Sequence, residues 1–192
     1  MVPSRWFRVI FAACLFVLPS LAMGEEAVLT RQHGEWLSGA LLGPRPTRFR
    51  FLAEQIDAGS YTTFAIDVLE ADCRKRFATL NVHLQEAFPQ DLLSEGLAGS
   101  VRVDRHPMRR VVYRVGAQAG ARMLFIFLVE IEGEDDFWKQ VAAGQSVRFR
   151  FPTERKDYHL RFALRGFVEA QKRAFALCRS PTSEEDRSYF KN

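Results

Sequence analysis

Arginine alternates with phenylalanine in the stretch "VRFRFPTERKDYHLRFALRGF", residues 147–167, and again in "RFRFL", residues 48–52. Guanidinium groups form bidentate hydrogen bonds with carboxylates and phosphates, so a row of arginines is a candidate site for an acidic ligand. Successive side chains of a strand point to opposite faces, which separates the arginines from the phenylalanines. The candidate anion-binding residues are Arg48, Arg50, Arg148, Arg150, His159, Arg161 and Arg165.

A solvated sheet face is the alternative interpretation of these arginines. An antiparallel sheet with one face in water must carry polar side chains on that face. Glu54, Glu154 and Asp157 lie near the arginines in the sequence and could neutralise them. If the arginines do bind a ligand, the candidates are an acidic glycan, a lipid phosphate head group or an acidic envelope protein.

Other motifs of catalysis or metal binding are missing from the sequence. The four histidines, His33, His83, His106 and His159, lack metal-ligand spacing, and the acidic run at 130–136 lacks the spacing of an EF-hand loop. No P-loop and no G-x-S-x-G motif occurs. We therefore predict a non-catalytic protein without metal or cofactor. A small hydrolase whose site is assembled from scattered residues is the alternative.

The first 24 residues have the layout of a secretory signal peptide. Arg5 and Arg8 precede an apolar run of about ten residues, and Ala22 and Gly24 place small residues at the −3 and −1 positions of a cleavage after Gly24. The run is too short to span a membrane, which needs roughly twenty apolar residues. We expect a periplasmic or secreted protein with no transmembrane segment in the mature chain, although "FAAC", ending at Cys14, leaves lipidation open as an alternative.

Removal of the signal peptide changes the charge and the cysteine count. The net charge of +4 falls to about +2, which argues against a nucleic-acid partner. Cys14 leaves, and Cys73 and Cys178 remain. Two cysteines in an oxidising compartment are expected to form a disulfide, here closing a loop of about 105 residues.

The pattern of elements predicts a mainly β fold. The 192 residues suit one domain, here 25–180, followed by a polar tail at 181–192. We predict an antiparallel β-sandwich with a short helix near 134–143 and a C-terminal helix near 167–178.

The apolar run 122–131 is expected to be a central strand buried on both faces. Trp36, Phe137 and Trp138 are expected to fill the core rather than line a ligand pocket. Predicted strands cover residues 48–52, 61–73, 76–84, 100–104, 109–115, 122–131, 146–151 and 158–164.

Residues 137–178 run from a short helix through two strands and a glycine into a last helix that ends at a cysteine. This order, with Phe162, Leu164, Gly166, Phe167 and Ala170, resembles the C-terminal part of the invasion-associated locus B family of exported bacterial proteins. It is also similar to periplasmic accessory proteins of type VI secretion. The resemblance implies a secreted, mainly β domain and transfers no catalytic residue. We expect a binding or accessory protein of the cell envelope, or else a structural component of an envelope complex.

Overall fold

The structure, a computed structural model, contains ten strands and two helices among its described residues. The expected signal peptide (1–24), Cys14 and the polar tail (181–192) lie outside those residues. The described residues are 26–42, 48–57, 60–153 and 157–180. The strands are β1 (Glu26–His33), β2 (Trp36–Leu42), β3 (Arg48–Asp57), β4 (Ser60–Leu69), β5 (Asp72–His83), β6 (Leu92–Val103), β7 (Arg109–Ala117), β8 (Met123–Ile131), β9 (Ser146–Pro152) and β10 (Asp157–Ala163). The helices are α1 (Glu134–Ala143) and α2 (Phe167–Arg179).

All these strands belong to one antiparallel sheet in the order β1-β2-β3-β4-β5-β8-β7-β6-β9-β10. The mainly β, antiparallel prediction is therefore confirmed, and both predicted helices begin at the expected residues. Hydrogen bonding runs without a break through the ten strands. The sheet bends so that one of its faces, the inner face, turns towards itself: the Phe64 ring of β4 lies 5.0 Å from the Phe149 ring of β9.

The inner face carries the core because apolar residues occupy alternate positions in each strand. Phe49 and Phe51 of β3, and Phe149 and Phe151 of β9, are all buried. Burying such large side chains is the main stabilising contribution to a fold of this kind. Trp36 of β2 is fully buried among them, and its indole N–H donates to the Ala163 carbonyl of β10 over 2.9 Å. The core thus joins the first strands of the chain to the last.

Both helices pack at one end of the bent sheet. The Phe167 ring of α2 lies 4.9 Å from Trp36 and 5.6 Å from Phe51, so α2 covers inner-face residues. Trp138 of α1 stacks on Phe167, and Trp36, Phe137 and Trp138 are all buried, as expected of core residues. We call this the helical end; the opposite end, where β4 begins and β5 ends, is the open end.

The expected disulfide is present and joins α2 to the sheet. Cys73 and Cys178 are bonded, with their Cα atoms 5.8 Å apart. The predicted position of Cys73 at the end of a 61–73 strand is wrong, because β4 ends at Leu69 and Cys73 lies near the start of β5. Glu70 and Ala71 form the intervening turn without a glycine, proline or asparagine to mark it, so the strand pattern continues through it.

Two further parts of the sheet differ from the expectations. Residues 26–42 form the β1–β2 hairpin, which no predicted strand covers. The predicted burial of β8 on both faces is also wrong: Phe127 and Val129 are 38% and 55% exposed on its outer face, next to exposed Phe77 of β5. The reason is that α1 and α2 both pack against the inner face, so no described element covers the outer face of β8.

Candidate anion-binding surface

Arg48 and Arg50 lie on the outer face of β3, where both bind the same carboxylate. Arg50 Nε lies 2.6 Å from Asp67 Oδ1, and Arg48 Nη1 lies 3.2 Å from Asp67 Oδ2. Asp67, directly opposite Arg50 on β4, is buried beneath these guanidinium groups. A buried carboxylate needs such partners, because a charge removed from water and left unpaired is strongly destabilising. These two arginines of β3 therefore neutralise a buried charge on β4 and help to join the two strands.

We expect Asp67→Asn to lower the free energy of unfolding by about 2–4 kcal/mol. The change keeps the shape of the side chain but removes the negative charge that the half-buried guanidinium groups of Arg48 and Arg50 share. Equilibrium urea unfolding measures the loss. The matched control is Glu95→Gln, which removes an exposed ion pair with Arg114 and should cost less than about 1 kcal/mol. Equal losses in the two variants would contradict this role of Asp67.

Arg150 and Arg165 also have acidic partners, but in exposed positions. Arg150 of β9 donates to Asp157 of β10, with Nη2 2.7 Å from Oδ2. Arg165 lies in the turn between β10 and α2 rather than in a strand, and it pairs with Glu35. Exposed pairs of this kind contribute little stability, so they can exchange for other partners.

The neighbouring acids named from the sequence have different roles. Glu54 accepts a hydrogen bond from the Tyr61 hydroxyl over 2.5 Å and forms no ion pair with a described arginine. Burial, together with this bond to Glu54, raises the pKa of Tyr61 to about 12. Glu154 lies outside the described residues.

Three arginines form a continuous row across adjacent strands near the β10 edge of the sheet, also on its outer face. Arg148 of β9 lies directly opposite Arg161 of β10 and, on its other side, directly opposite Arg102 of β6. We call Arg102, Arg148 and Arg161 the arginine row. Within the described part of the chain, none of the three guanidinium groups forms an ion pair or a hydrogen bond; the backbone N–H of Arg161 donates to Gln55 Oε1 over 3.2 Å. Like charges placed directly opposite each other repel, so the row is unfavourable for the sheet alone.

The next pair along β9 and β10 extends this positive surface. Arg150 of β9 lies directly opposite His159 of β10. This pair is two residues along each strand from the opposing pair Arg148 and Arg161. All four side chains are exposed on the outer face. Arg102 was not among the sequence candidates, although the segment "SVRVD" alternates in the same way and so contained the signal.

Arg48 and Arg50 do not join the arginine row. Five strands, β4, β5, β8, β7 and β6, separate β3 from β9 in the hydrogen-bonded order of the sheet. Across the bend β10 does contact β3, where the Arg161 N–H donates to Gln55, but Gln55 is five residues beyond Arg50 along β3. Because the inner faces of β4 and β9 face each other across the core, the outer faces of these two regions point away from each other. The residues predicted from the sequence therefore fall into two groups. Arg48 and Arg50 of β3 are paired with Asp67, whereas Arg148, Arg150, His159 and Arg161 lie on the outer surface of β9 and β10.

The described histidines and carboxylates are not clustered. Within the described ranges, no three His, Cys, Asp or Glu side chains are grouped closely enough to hold a metal ion. His33 shares a hydrogen bond of 2.9 Å with the Ser38 hydroxyl, and burial, with the charges of Arg31 and Arg173, lowers the pKa of His33. The acidic run 130–136 leads into α1, where its last three carboxylates occupy the favourable first turn.

None of the described helices is long and apolar enough to cross a membrane. The chain matches no protein-family model, and comparisons with curated proteins and with solved structures find no significant match. The resemblance of residues 137–178 to the invasion-associated locus B family and to type VI secretion accessory proteins therefore stays a prediction.

Proposed function

We propose that the protein is an exported, non-catalytic binding protein of the cell envelope that holds an anionic ligand on the arginine row. One observation carries the proposal: Arg102, Arg148 and Arg161 are direct neighbours on three adjacent strands, exposed or half-buried, with no carboxylate partner among the described residues. An anion bound across them would replace mutual repulsion with attraction.

The spacing of the row favours a ligand with more than one acidic group. Neighbouring strands are about 4.8 Å apart, so the three side chains start from points spread over about 10 Å. Each guanidinium can hold a phosphate or carboxylate through two parallel hydrogen bonds. Arg150 and His159 lie beside the row and offer further donors. A phosphorylated glycolipid head group or an acidic glycan has groups of this kind at suitable distances.

The envelope location is supported by two features of the chain. The first 24 residues have the layout of a signal peptide. Cys73 and Cys178 are bonded to each other, and such long-range disulfides belong mainly to oxidising compartments. We infer a periplasmic or secreted protein on this basis.

We expect the double change Arg148→Gln and Arg161→Gln to weaken anion binding by about tenfold to hundredfold. Two charge-assisted contacts are lost, each worth about 1.4 kcal/mol or less at an exposed site. Binding to purified lipopolysaccharide and to polygalacturonate is measured by calorimetry at rising salt concentration, because exposed ion pairs are screened by salt. We expect the wild-type protein to bind at least one of these probes at low salt and to lose affinity as salt rises.

The control for this experiment removes the same charge elsewhere. Arg74→Gln with Arg122→Gln changes two exposed arginines on β5 and before β8, strands that do not pair with β9 or β10. This variant should bind within about threefold of wild type, because a distant exposed charge is largely screened. The proposal fails if wild type binds neither probe, or if the two double variants bind equally.

A further inference from the structure

The open end of the bent sheet contains an apolar cavity that is separate from the arginine row. Its volume is about 200 Å³, and its walls include inward-facing Leu97 of β6, Val115 of β7 and Leu124 of β8. Tyr158 of β10 and Phe88 of the loop after β5 complete it. Among the described residues, no charged side chain lines this cavity, and the polar side-chain atoms there are hydroxyls. It lies on the inner face, whereas the arginine row lies on the outer face.

A bulge in β6 shapes the cavity. The register of β6 with β7 shifts between Ser94 and Leu97, and Gly96 has the positive φ of 67° that such a bulge requires. Ser94 pairs with Val115 and Leu97 pairs with Tyr113, both inward-facing positions. The bulge therefore turns Ser94 and Leu97 to the same side although they are three residues apart. The small Ser94 side chain then leaves room that a larger residue would fill.

Phe88 partly closes the cavity and separates it from a wider opening. The Phe88 N–H donates to the Ala121 carbonyl over 2.9 Å, and the Gly120 N–H donates to the Phe88 carbonyl over 2.8 Å. Phe88 and Tyr158 also line an adjacent opening of about 600 Å³, which includes the polar side chains of Gln85 and Glu86. Among the described residues, the inner cavity is thus lined mainly by apolar side chains, whereas its entrance also carries polar ones.

We propose that this cavity binds the hydrocarbon chain of an amphiphile whose polar head occupies the wider opening. A cavity of about 150 Å³ lined by apolar side chains is enough for benzene, so the volume here suits a short segment of an alkyl chain. Left empty, the walls lose the packing contacts that close-packed interiors provide. The described walls of the inner cavity are mainly apolar, which favours an uncharged chain there, and the opening offers polar partners to the head.

Calorimetry of the full chain with hexanol, octanol and octyl glucoside tests this proposal. We expect octanol to bind more tightly than hexanol by about fourfold for each added methylene, the gain expected from burying it. Octyl glucoside should bind about as well as octanol, because its head remains in the opening. Failure of both alcohols to bind overturns the proposal. Binding of octanol without octyl glucoside also overturns it, since the site would then take only free small molecules.

Two variants and a matched control locate the binding. Ser94→Phe should fill the cavity and weaken octanol binding at least tenfold. Leu97→Phe, a smaller increase in volume, serves as the second variant, and circular dichroism checks that each is folded. The control is Leu93→Phe, whose side chain is 72% exposed on the outer face of the same strand and should leave octanol affinity unchanged. Equal affinities in the folded cavity variants and the control overturn the proposal. Because these probes are uncharged and the cavity variants lie on the inner face, this proposal can fail without the proposal for the arginine row failing.

Discussion

Replacing both Cys73 and Cys178 with serine is expected to lower the free energy of unfolding by about 4 kcal/mol. The disulfide joins residues 105 positions apart. In the chain-entropy account, a bridge that closes a loop of about 100 residues lowers the conformational entropy of the unfolded chain. This raises the free energy of the unfolded chain by about 4.7 kcal/mol. Guanidinium unfolding at equilibrium, with the oxidised wild-type protein as the reference, measures the loss.

A reducing agent provides the control for the cysteine prediction. Dithiothreitol should destabilise the wild-type protein by about the same amount and leave the double serine variant unchanged. A variant within about 1 kcal/mol of the oxidised wild type would show that the bridge adds little to the packing of α2. Phe167, Ala170 and Ala174 of that helix are buried independently of the bridge.

Gly166→Ala is expected to destabilise the protein by about 3 kcal/mol or more. Gly166 has a φ of 93°, which favours glycine, and a Cβ added there would lie 1.7 Å from the carbonyl oxygen of His33. The obstacle is backbone, so the turn before α2 and the turn between β1 and β2 would have to separate. That movement would strain the hydrogen bond of 2.9 Å from the Glu35 N–H to the Arg165 carbonyl. Urea unfolding measures the effect.

Gly120→Ala separates the effect of φ from the effect of the close contact. Gly120 has a φ of 77°, but a Cβ there would meet nothing within 4 Å. This variant should lose only about 1 kcal/mol, the usual cost of a left-handed conformation for a residue with a side chain. If Gly166→Ala lowered the free energy of unfolding no more than Gly120→Ala, the turn at Gly166 and the turn after His33 would be farther apart than the structure indicates.

Local sequence patterns correctly predicted the features that depend only on residues close together in the chain. Alternation correctly separated the outward Arg148, Arg150 and Arg161 from the inward phenylalanines, and helical spacing located α1 and α2. The β1–β2 hairpin was missed because its inward-facing apolar residues are few and interrupted: β1 buries only Val28 among its eight residues, and β2 buries Ser38 and Gly39 beside Trp36 and Ala40.

Strand neighbours could not be predicted, because sheet order depends on contacts between distant parts of the chain. Arg102 becomes part of the candidate site only because β6 pairs with β9. Arg50 is removed from it only because Asp67 lies opposite on β4. The cavity likewise depends on a bulge in β6 and on residues from several strands. No local pattern in the sequence contains that information.

The contact between the first hairpin and the end of β10 determines the order in which the chain can complete its fold. Trp36 and Ala163, which share a hydrogen bond, are 127 residues apart. Synthesis proceeds from the N-terminus, so Trp36 and Phe51 stay without the cover of Phe167 until almost the whole domain has been made. Pairing over such separations is slow, because the loop must close before the contact is gained. The strands made first are therefore the last to be completed.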